Sequence, residues 1–450
     1  RSGGTVSLAS GATQSGFGRT GTVDWITTPK VTGDSPVTTV SGNGYFLNTT
    51  GGTITVNLPA GSAGDIVSFA DYAETWDTYN VTVAPNGTDK IGGVAQNATL
   101  DTKGQSVTFV YVDGVQGWVN TMDSTSNVRG ASSIVASISG ACNTITTAPD
   151  CANMKLAKFV NPGTFTVCSV ASTAANNEVG YLVVAAGGSG GGGYAGGGGG
   201  AGGYREGKNN SITPYTGSPK AAATGITVTA QAYPITVGGG GTGVPGSSTD
   251  QGNDGTLSTF DTITSAGGGG GGGGRNTCRP KNPGRPGGSG GGAMGNCGGA
   301  GTPPGGTGND PGTSPPQGND GGDGDSNPPA YGGGGGGGAT ACGGDGSSTA
   351  YGNGGAGTTS SMSGSSLSYA GGGGNGTLSP YPAPGNGGAG SPCGTGGAGS
   401  GSGSPCGTGG AGGAGSPQTG GGGGGGGAEP VAKDSGNGGS GIVIIRYKFQ

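Results

Sequence analysis

The stretch VGYLVVAAGGSGGGGYAGGGGG, residues 179–200, decides the fold because an apolar strand passes directly into glycine. Its first eight residues are apolar or small on both faces, which predicts a buried β-strand. A matching apolar run, GIVIIRYKF, occupies residues 441–449. We predict that the two strands lie in one sheet, so that residues 187–441 form a single insertion that returns to its own root.

Glycine is concentrated between those two strands. The chain has 450 residues and 121 glycines, and 98 of these follow residue 186. They lack the Gly-X-Y period of collagen. Instead they form contiguous blocks of similar length, namely Gly196–Gly200, Gly238–Gly241, Gly267–Gly274, Gly332–Gly338, Gly371–Gly374 and Gly420–Gly427.

Two conformations compete for these blocks. Solvated polyglycine is a flexible coil, whereas packed polyglycine II helices lack side chains and can approach closely enough for their backbones to form hydrogen bonds. Ordering costs about 1–2 kcal/mol per residue, and each backbone hydrogen bond returns about 0.5–1.5 kcal/mol. The ordered state is therefore favourable only if most glycines form backbone hydrogen bonds with another segment. Turn segments such as Thr302–Pro304 separate the blocks and favour a bundle.

The first part of the chain has a different pattern. Short segments such as Ile54–Leu58 and Val107–Val112 alternate polar and apolar residues, which is typical of a β-sandwich or jelly roll. The pair Asp113-Gly114 predicts a type I′ hairpin turn. Asn161-Pro-Gly163 predicts a turn between two further strands.

These patterns give an all-β fold combined with polyglycine II helices. We divide the chain into an N-terminal extended segment at 1–43, a β-sandwich-like module at 44–130, a connector with strands at 131–186, a glycine-rich polyglycine II bundle with display loops at 187–441 and a closing strand at 442–450. The extended segment is expected to lie against the sandwich or against a neighbouring copy.

Composition excludes several classes of function. The chain has no histidine, which rules out Ser-His-Asp and Cys-His catalysis and histidine-ligated metals. The net charge of −5 offers no basic stripe for nucleic acid, and no apolar window approaches the roughly 20 residues that cross a bilayer. We therefore expect no enzyme activity, no cofactor, no nucleic-acid partner and no membrane insertion.

Eight cysteines are present and none forms a CxxC pair, which disfavours zinc. Disulfides in an oxidising exterior and free buried thiols both remain open, and the spacing does not select a pairing. The cysteines are Cys142, Cys151, Cys168, Cys278, Cys297, Cys342, Cys393 and Cys406.

Two groups of residues carry a resemblance to known proteins. Residues 44–120, with Ile-Thr-Val-Asn-Leu-Pro and Val-Tyr-Val-Asp-Gly-Val-Gln-Gly-Trp, resemble modules of tail-fibre and appendage proteins of marine cyanophages and related phages. The pattern from Gly163-Thr-Phe-Thr-Val through residues 181–188 to residues 438–447 is similar to the glycine-rich domain that ends many phage fibres. The resemblance implies a virion fibre or adhesin whose loops touch the host surface, and it brings no catalytic residues.

Two sets of side chains are candidates for that contact. Four cations crowd into eleven residues and suit acidic saccharide or phosphate groups, although a solvated turn is the alternative. They are Arg275, Arg279, Lys281 and Arg285. Four tyrosines beside glycine blocks suit stacking on sugar rings, although they could equally cover the bundle as hydrophobic packing. They are Tyr331, Tyr351, Tyr369 and Tyr381.

Two acidic patterns are weaker. Residues 319–327 offer oxygen ligands that resemble calcium loops, but they lack the EF-hand spacing, which favours a solvated turn. The pairs Asp71 with Glu74 and Asp323 with Asp325 have the residue types of glycoside hydrolysis without a cleft signature.

The sequence thus predicts a bacteriophage tail fibre or adhesin in the virion. Its expected partners are other tail proteins, further copies of itself with a trimer as the expected number, and a bacterial surface polysaccharide or outer-membrane protein. Two alternatives remain: a purely structural virion protein such as a capsid decoration or whisker, and a non-viral extracellular glycine-rich filament protein.

Overall fold

The structure is a computed structural model. It describes residues 23–123, 133–171, 173–211, 213–248, 250–274, 283–295, 301–328, 331–377, 389–390, 393–394, 396–397, 411–427 and 432–449. The chain divides into two compact units, Arg1–Ser132 and Ser133–Gln450. The described residues contain β-strands, two short 3-10 helices at Thr32–Asp34 and Ala174–Asn177, and no α-helix. The prediction of an all-β fold is therefore confirmed.

The described part of the first unit, residues 23–123, contains nine strands in two sheets. The five-stranded sheet has the order β1-β3-β5-β8-β9, and the four-stranded sheet has the order β2-β4-β6-β7. The strands are β1 (Asp24–Val31), β2 (Val37–Thr38), β3 (Asn43–Asn48), β4 (Ile54–Asn57), β5 (Ile66–Asp71), β6 (Val81–Ala84), β7 (Ala98–Leu100), β8 (Ser106–Asp113) and β9 (Gly117–Asp123).

The connectivity of this unit differs from a jelly roll. The first six strands alternate between the two sheets along the chain, and within each sheet they pair in parallel. The later strands pair antiparallel: β7 with β6, β8 with β5, and β9 with β8. Both sheets contribute to one core, with Leu47 and Phe69 from one and Val56 and Val83 from the other, all fully buried. Alternation in the sequence shows which face of a strand is buried but not the direction of the neighbouring strand. It therefore could not show that the first six strands pair in parallel.

Residues 24–31 of the N-terminal extended segment form β1, which pairs with β3. One local prediction in this unit was wrong. The hairpin at Asp113 has a three-residue loop instead of a type I′ turn. The Asp113 carboxylate accepts hydrogen bonds from the N–H groups of Val115 and Gln116 at 2.8 and 2.7 Å, and the left-handed residue is Gly117, at φ +69. The Asp113 carboxylate thus stabilises a three-residue loop in place of the expected two-residue turn.

The second unit contains the remaining strands. A five-stranded antiparallel sheet has the order β10-β13-β17-β18-β19, and a six-stranded sheet has the order β11-β12-β24-β14-β15 with β16 also paired to β14. Two hairpins, β20–β21 and β22–β23, form separate two-stranded sheets. The strands are β10 (Val135–Ile138), β11 (Thr144–Ala148), β12 (Cys151–Phe159), β13 (Gly163–Ser169), β14 (Glu178–Val184), β15 (Tyr204–Gly207), β16 (Ile226–Thr227), β17 (Ala232–Thr236), β18 (Ser258–Phe260), β19 (Ile263–Ser265), β20 (Thr358–Ser360), β21 (Leu367–Tyr369), β22 (Ala389–Gly390), β23 (Cys393–Gly394) and β24 (Ile442–Lys448).

The apolar strands that flank the glycine region, β14 and β24, lie side by side. They pair antiparallel from Gly180 with Arg446 to Val184 with Ile442. One face of the pair enters a core with the five-stranded sheet, and the other enters a second core that includes Met362 and Tyr369. Strands β12 and β13 flank the Asn161-Pro-Gly163 turn, as the sequence indicates, but they belong to different sheets.

The glycine core, by which we mean the described glycine-rich segments between Gly187 and Gly441, is held by backbone hydrogen bonds. In segment 185–192 every N–H donates to a carbonyl of another segment, with N···O distances of 2.9–3.4 Å. The bonds have a three-residue period. The N–H groups of Ala185, Gly188 and Gly191 point to segment 197–203, those of Ala186, Ser189 and Gly192 to segment 250–256, and those of Gly187 and Gly190 to segment 436–439.

The neighbouring segment 196–203 repeats this arrangement with other partners. Its N–H groups donate in turn to segments 420–426, 266–272 and 334–337 at 2.8–3.1 Å. Such close packing excludes side chains. A Cβ atom at Gly198 would lie 2.0 Å from the carbonyl oxygen of Gly373, and one at Gly199 would lie 2.2 Å from that of Gly188. Glycine is required here because main-chain atoms occupy the space of a side chain.

Candidate functional site

The turns at one end of the glycine core form what we call its loop end. Its described members are the turns at Tyr194–Ala195 and Ser347–Ala350 and the segment ends at Gly274, Gly295 and Tyr331. Backbone bonds link neighbouring members: the N–H of Tyr194 donates to Gly274 at 2.9 Å, that of Gly295 to Ala195 at 3.2 Å, and that of Gly332 to Ser347 at 3.2 Å. The opposite end, where the segments enter the strands of the sheets, is the sheet end.

The candidate tyrosines divide between these two ends. Tyr331 is partly buried at the loop end, and its backbone adopts a left-handed conformation at φ +47. Tyr351 follows the Ser347–Ala350 turn but is only 6% exposed. Tyr369 lies at the sheet end, 1% exposed, with its ring 6.3 Å from that of Tyr204. Burial of Tyr351 and Tyr369 favours hydrophobic packing, and Tyr381 lies outside the described residues.

Of the four candidate cations, only Arg285 lies in the described part of the chain. Its guanidinium pairs with the Asp254 carboxylate at 2.7 Å, and both side chains remain about two-fifths exposed, at 43% and 38%. Asp254 also accepts a hydrogen bond from the N–H of Gly270 at 2.9 Å. Arg285 therefore forms an ion pair at the edge of the glycine core. Arg275, Arg279 and Lys281 lie outside the described residues.

The acidic segment near residue 320 closes an edge of the glycine core. The Asp320 carboxylate accepts the N–H of Gly308 at 2.6 Å, and Asp323 accepts the N–H of Gly305 at 2.8 Å. Asp345 in turn accepts the N–H of Asp323 at 2.8 Å. These carboxylates replace the carbonyls that a further glycine segment would supply. Among the residues that the structure describes, no group of three or more acidic or cysteine side chains could hold a metal ion.

The carboxylates of the first unit are also engaged in structure. Asp71 accepts hydrogen bonds from the N–H groups of Thr75, Trp76 and Gly104 at 3.0–3.2 Å. Glu74 lies 3.8 Å from the ammonium of Lys103, and both side chains are exposed. Asp71 therefore shapes the loop that follows β5.

The described cysteines carry no disulfide. Cys142, Cys168 and Cys342 are exposed free thiols, and Cys151 is a partly buried one. The side chains of the other four lie outside the described residues. The four described cysteines are therefore free thiols, and none of them is fully buried.

A buried polar network at the sheet end was missed by the sequence analysis. Glu206, 3% exposed, accepts hydrogen bonds from the Tyr204 hydroxyl at 2.6 Å, the Ser360 hydroxyl at 2.7 Å and the Ser218 N–H at 2.9 Å. Burial, reinforced by the Glu206 charge, holds the pKa of Tyr204 and Tyr215 well above the usual value. The network joins β15 to hairpin β20–β21, and its three donors satisfy the buried carboxylate.

A buried arginine belongs to the same region. Arg446 of β24 has a fully buried side chain, and its Nη1 lies 3.0 and 3.1 Å from the two carboxylate oxygens of Asp150. The Tyr215 ring lies over the guanidinium at 5.4 Å and under the Lys208 ammonium at 4.6 Å. The sequence signal was a lone cation inside an apolar strand, which indicates a paired buried charge.

Comparison with known proteins identifies a family. A family model described as a glycine-rich domain matches residues 160–448, from the turn before β13 through β24. A search of curated proteins found no match. No helix in the described ranges is long and apolar enough to cross a membrane.

Proposed function

The chain belongs to the glycine-rich domain family, and from this premise we propose that it is a bacteriophage tail fibre or adhesin of the virion that displays loops for attachment to the host surface. The loop end carries this proposal. Its turns are rooted in segments fixed by backbone hydrogen bonds along their whole length, as in 185–192. A rigid scaffold with sequence-tolerant turns at one end suits recognition of a variable surface.

We also propose that the glycine core consists of polyglycine II helices. A polyglycine II helix has three residues per turn, so successive N–H groups point in three directions. The three-residue period of the bonds from segments 185–192 and 196–203 supports this assignment. Each segment then contacts several neighbours at once, and the core stays ordered without apolar side chains.

The proposal includes an oligomer, with three copies as the expected number, assembled with other virion proteins. Several weak loop contacts on one particle add to strong avidity, provided that the geometry lets them engage together. The expected receptor is a bacterial surface polysaccharide or an outer-membrane protein. The cations Arg275, Arg279 and Lys281 are proposed to meet its acidic groups.

Binding of the purified full chain to whole bacterial cells tests the proposal. Fluorescently labelled chain is titrated on a panel of strains, before and after periodate oxidation of surface sugars and before and after protease treatment. We expect saturable binding to at least one strain, removed by one of the treatments. Absence of binding to every strain, together with localisation of the chain inside a particle, would support the purely structural alternative.

A charge variant locates the contact. Replacing Arg275, Arg279 and Lys281 by serine is expected to weaken binding about tenfold or more, because charge-assisted hydrogen bonds contribute about 1.5–3 kcal/mol each. The matched control replaces Lys30, Lys90 and Lys103 of the first unit by serine. It loses the same three positive charges, so the two variants have equal net charge. Equal loss in both variants would reject these three cations as the contact residues.

A further inference from the structure

A cleft of about 250 Å³ opens at the sheet end of the second unit. Its floor is formed by Ile442 and Ile444 of β24 and by Lys158, which lies opposite Ile444 on the adjacent strand β12. One wall is hairpin β20–β21 with its loop, and the other is the turn Ser416–Thr419. The cleft lies away from the loop end, and of the residues considered for host contact it is lined by Tyr369.

The turn that forms one wall is held rigidly. The carbonyl of Thr419 accepts the N–H of Ala370 at 2.8 Å, and the Thr419 hydroxyl donates to the carbonyl of Ser416 at 2.7 Å. Gln418 adopts a left-handed backbone at φ +59, although it is not glycine, and its N–H donates to the Ser440 hydroxyl at 2.9 Å. Strained residues of this kind concentrate at ligand sites, where the surrounding structure holds them.

The lining combines apolar and polar groups in a way that restricts the ligand. Leu367 remains 47% exposed at the rim, whereas Ile442 and Ile444 are nearly fully buried beneath it. Hydroxyl and amide groups of Ser363, Ser416, Gln418 and Thr419 line the rim. Lys158 has no ion pair in the part of the chain that the structure describes. The cleft is smaller than the usual 300–1,000 Å³ of drug-sized sites, so it suits a single ring.

We propose that this cleft binds a hexuronic acid, a six-membered sugar ring with one carboxylate. The C–H faces of the ring pack on Leu367 and Pro417, above the buried Ile442 and Ile444, and its hydroxyls meet the polar rim. The carboxylate pairs with the Lys158 ammonium. A purely apolar ligand would offer no hydrogen-bond partner to the Ser416 hydroxyl or the Gln418 amide, and a neutral sugar would offer no counter-charge to the Lys158 ammonium. The proposal does not depend on the proposed function, because it concerns a soluble small molecule.

Calorimetric titration of the full chain with glucuronic acid, glucose and benzoate tests the proposal. We expect glucuronic acid to bind at least about tenfold more tightly than either other probe, because only it satisfies both the rim and the cation. Equal binding of glucose and glucuronic acid, or of benzoate and glucuronic acid, would overturn the proposal. Absence of heat from glucuronic acid with the folded protein would do the same.

A pair of variants separates the cleft from general electrostatics. Lys158→Met is expected to weaken glucuronic acid binding about tenfold. Lys155→Met is the matched control, because Lys155 is on the same strand, faces the opposite side of the sheet and lies 4.7 Å from the Phe449 ring. A second variant, Ser363→Trp, fills the cleft and is expected to abolish binding. Equal loss in Lys155→Met and Lys158→Met, or full binding by Ser363→Trp, would reject the site.

Discussion

The first unit and the glycine core bury their interiors by opposite means. In the first unit, side chains such as Leu47, Phe69 and Phe109 are fully buried between two sheets. In the glycine core, carbonyl oxygens and amide groups of neighbouring segments take that place, and most of the buried positions are glycine. Apolar burial is tolerant of shape and direction, whereas hydrogen bonds are directional. The glycine core therefore depends on the absence of atoms at defined positions.

The largest expected effect comes from adding one methyl group to the glycine core. In Gly198→Ala the new Cβ would lie 2.0 Å from the carbonyl oxygen of Gly373 and 2.9 Å from the N–H nitrogen of Gly336. Main-chain atoms of two segments would have to move, so we expect the second unit to lose about 3 kcal/mol or more. Thermal unfolding followed by circular dichroism measures the loss.

The control for this variant is a glycine of the same region with free space. A Cβ at Gly239 meets nothing within 4 Å, and its φ lies outside the left-handed region. Gly239→Ala is expected to be neutral or to stabilise by up to about 1 kcal/mol, since alanine restricts the unfolded chain. If Gly198→Ala and Gly239→Ala unfolded alike, the glycine core would not be closely packed.

The same comparison explains what the sequence could reveal of the fold. Period-two alternation, as at Ile54–Leu58, sufficed for an all-β assignment because it reflects burial of one face. It could not show that β1, β3 and β5 run parallel, since parallel and antiparallel strands bury the same alternate residues. For the glycine blocks the pattern showed where side chains are excluded. It could not show which segment accepts each N–H, because a run of identical residues carries no register.

Alkaline pH is expected to weaken the second unit through its buried tyrosines. Burial raises the pKa of Tyr369 and of Tyr447 to about 12, above the usual 10. Between pH 10 and 12 the unfolded state loses these protons while the folded state keeps them. The stabilisation is therefore complete below pH 10 and is lost as the pH rises to 12, on the order of 2 kcal/mol for each tyrosine.

Phenylalanine variants isolate this contribution. Tyr369→Phe and Tyr447→Phe should each reduce the loss of stability between pH 10 and 12, measured by urea unfolding at a series of pH values. Tyr72 of the first unit is 55% exposed, so Tyr72→Phe serves as the control and should leave the pH profile unchanged. An identical alkaline profile in all three variants would mean that the tyrosines are not the titrating groups.

The candidate sites were harder to predict than the fold. The cations at 275–281 and the tyrosines are candidates because charged and aromatic side chains are rare in the glycine region. The rarity of a side chain does not show whether it is exposed to solvent. Tyr369 proves to be 1% exposed. The network around Glu206 and the cleft beside Lys158 depend on residues far apart in sequence, such as Glu206 and Ser360, which only the folded chain brings together. Long-range pairings of this kind leave no local pattern.

The smallest expected effect concerns the edge of the glycine core, where side chains replace missing segments. Asp323 accepts the N–H of Gly305 at 2.8 Å, so Asp323→Ala leaves that N–H to water and should cost about 1 kcal/mol. Asp323→Asn keeps an oxygen acceptor and should restore most of the loss. Hydrogen exchange at the Gly305 amide measures the difference, with faster exchange in Asp323→Ala alone. If the Gly305 amide exchanged equally fast in the parent chain, the Asp323 carboxylate would not be its hydrogen-bond acceptor. The directional hydrogen bonding that distinguishes the glycine core from the first unit would then be limited to the interior segments of the glycine core.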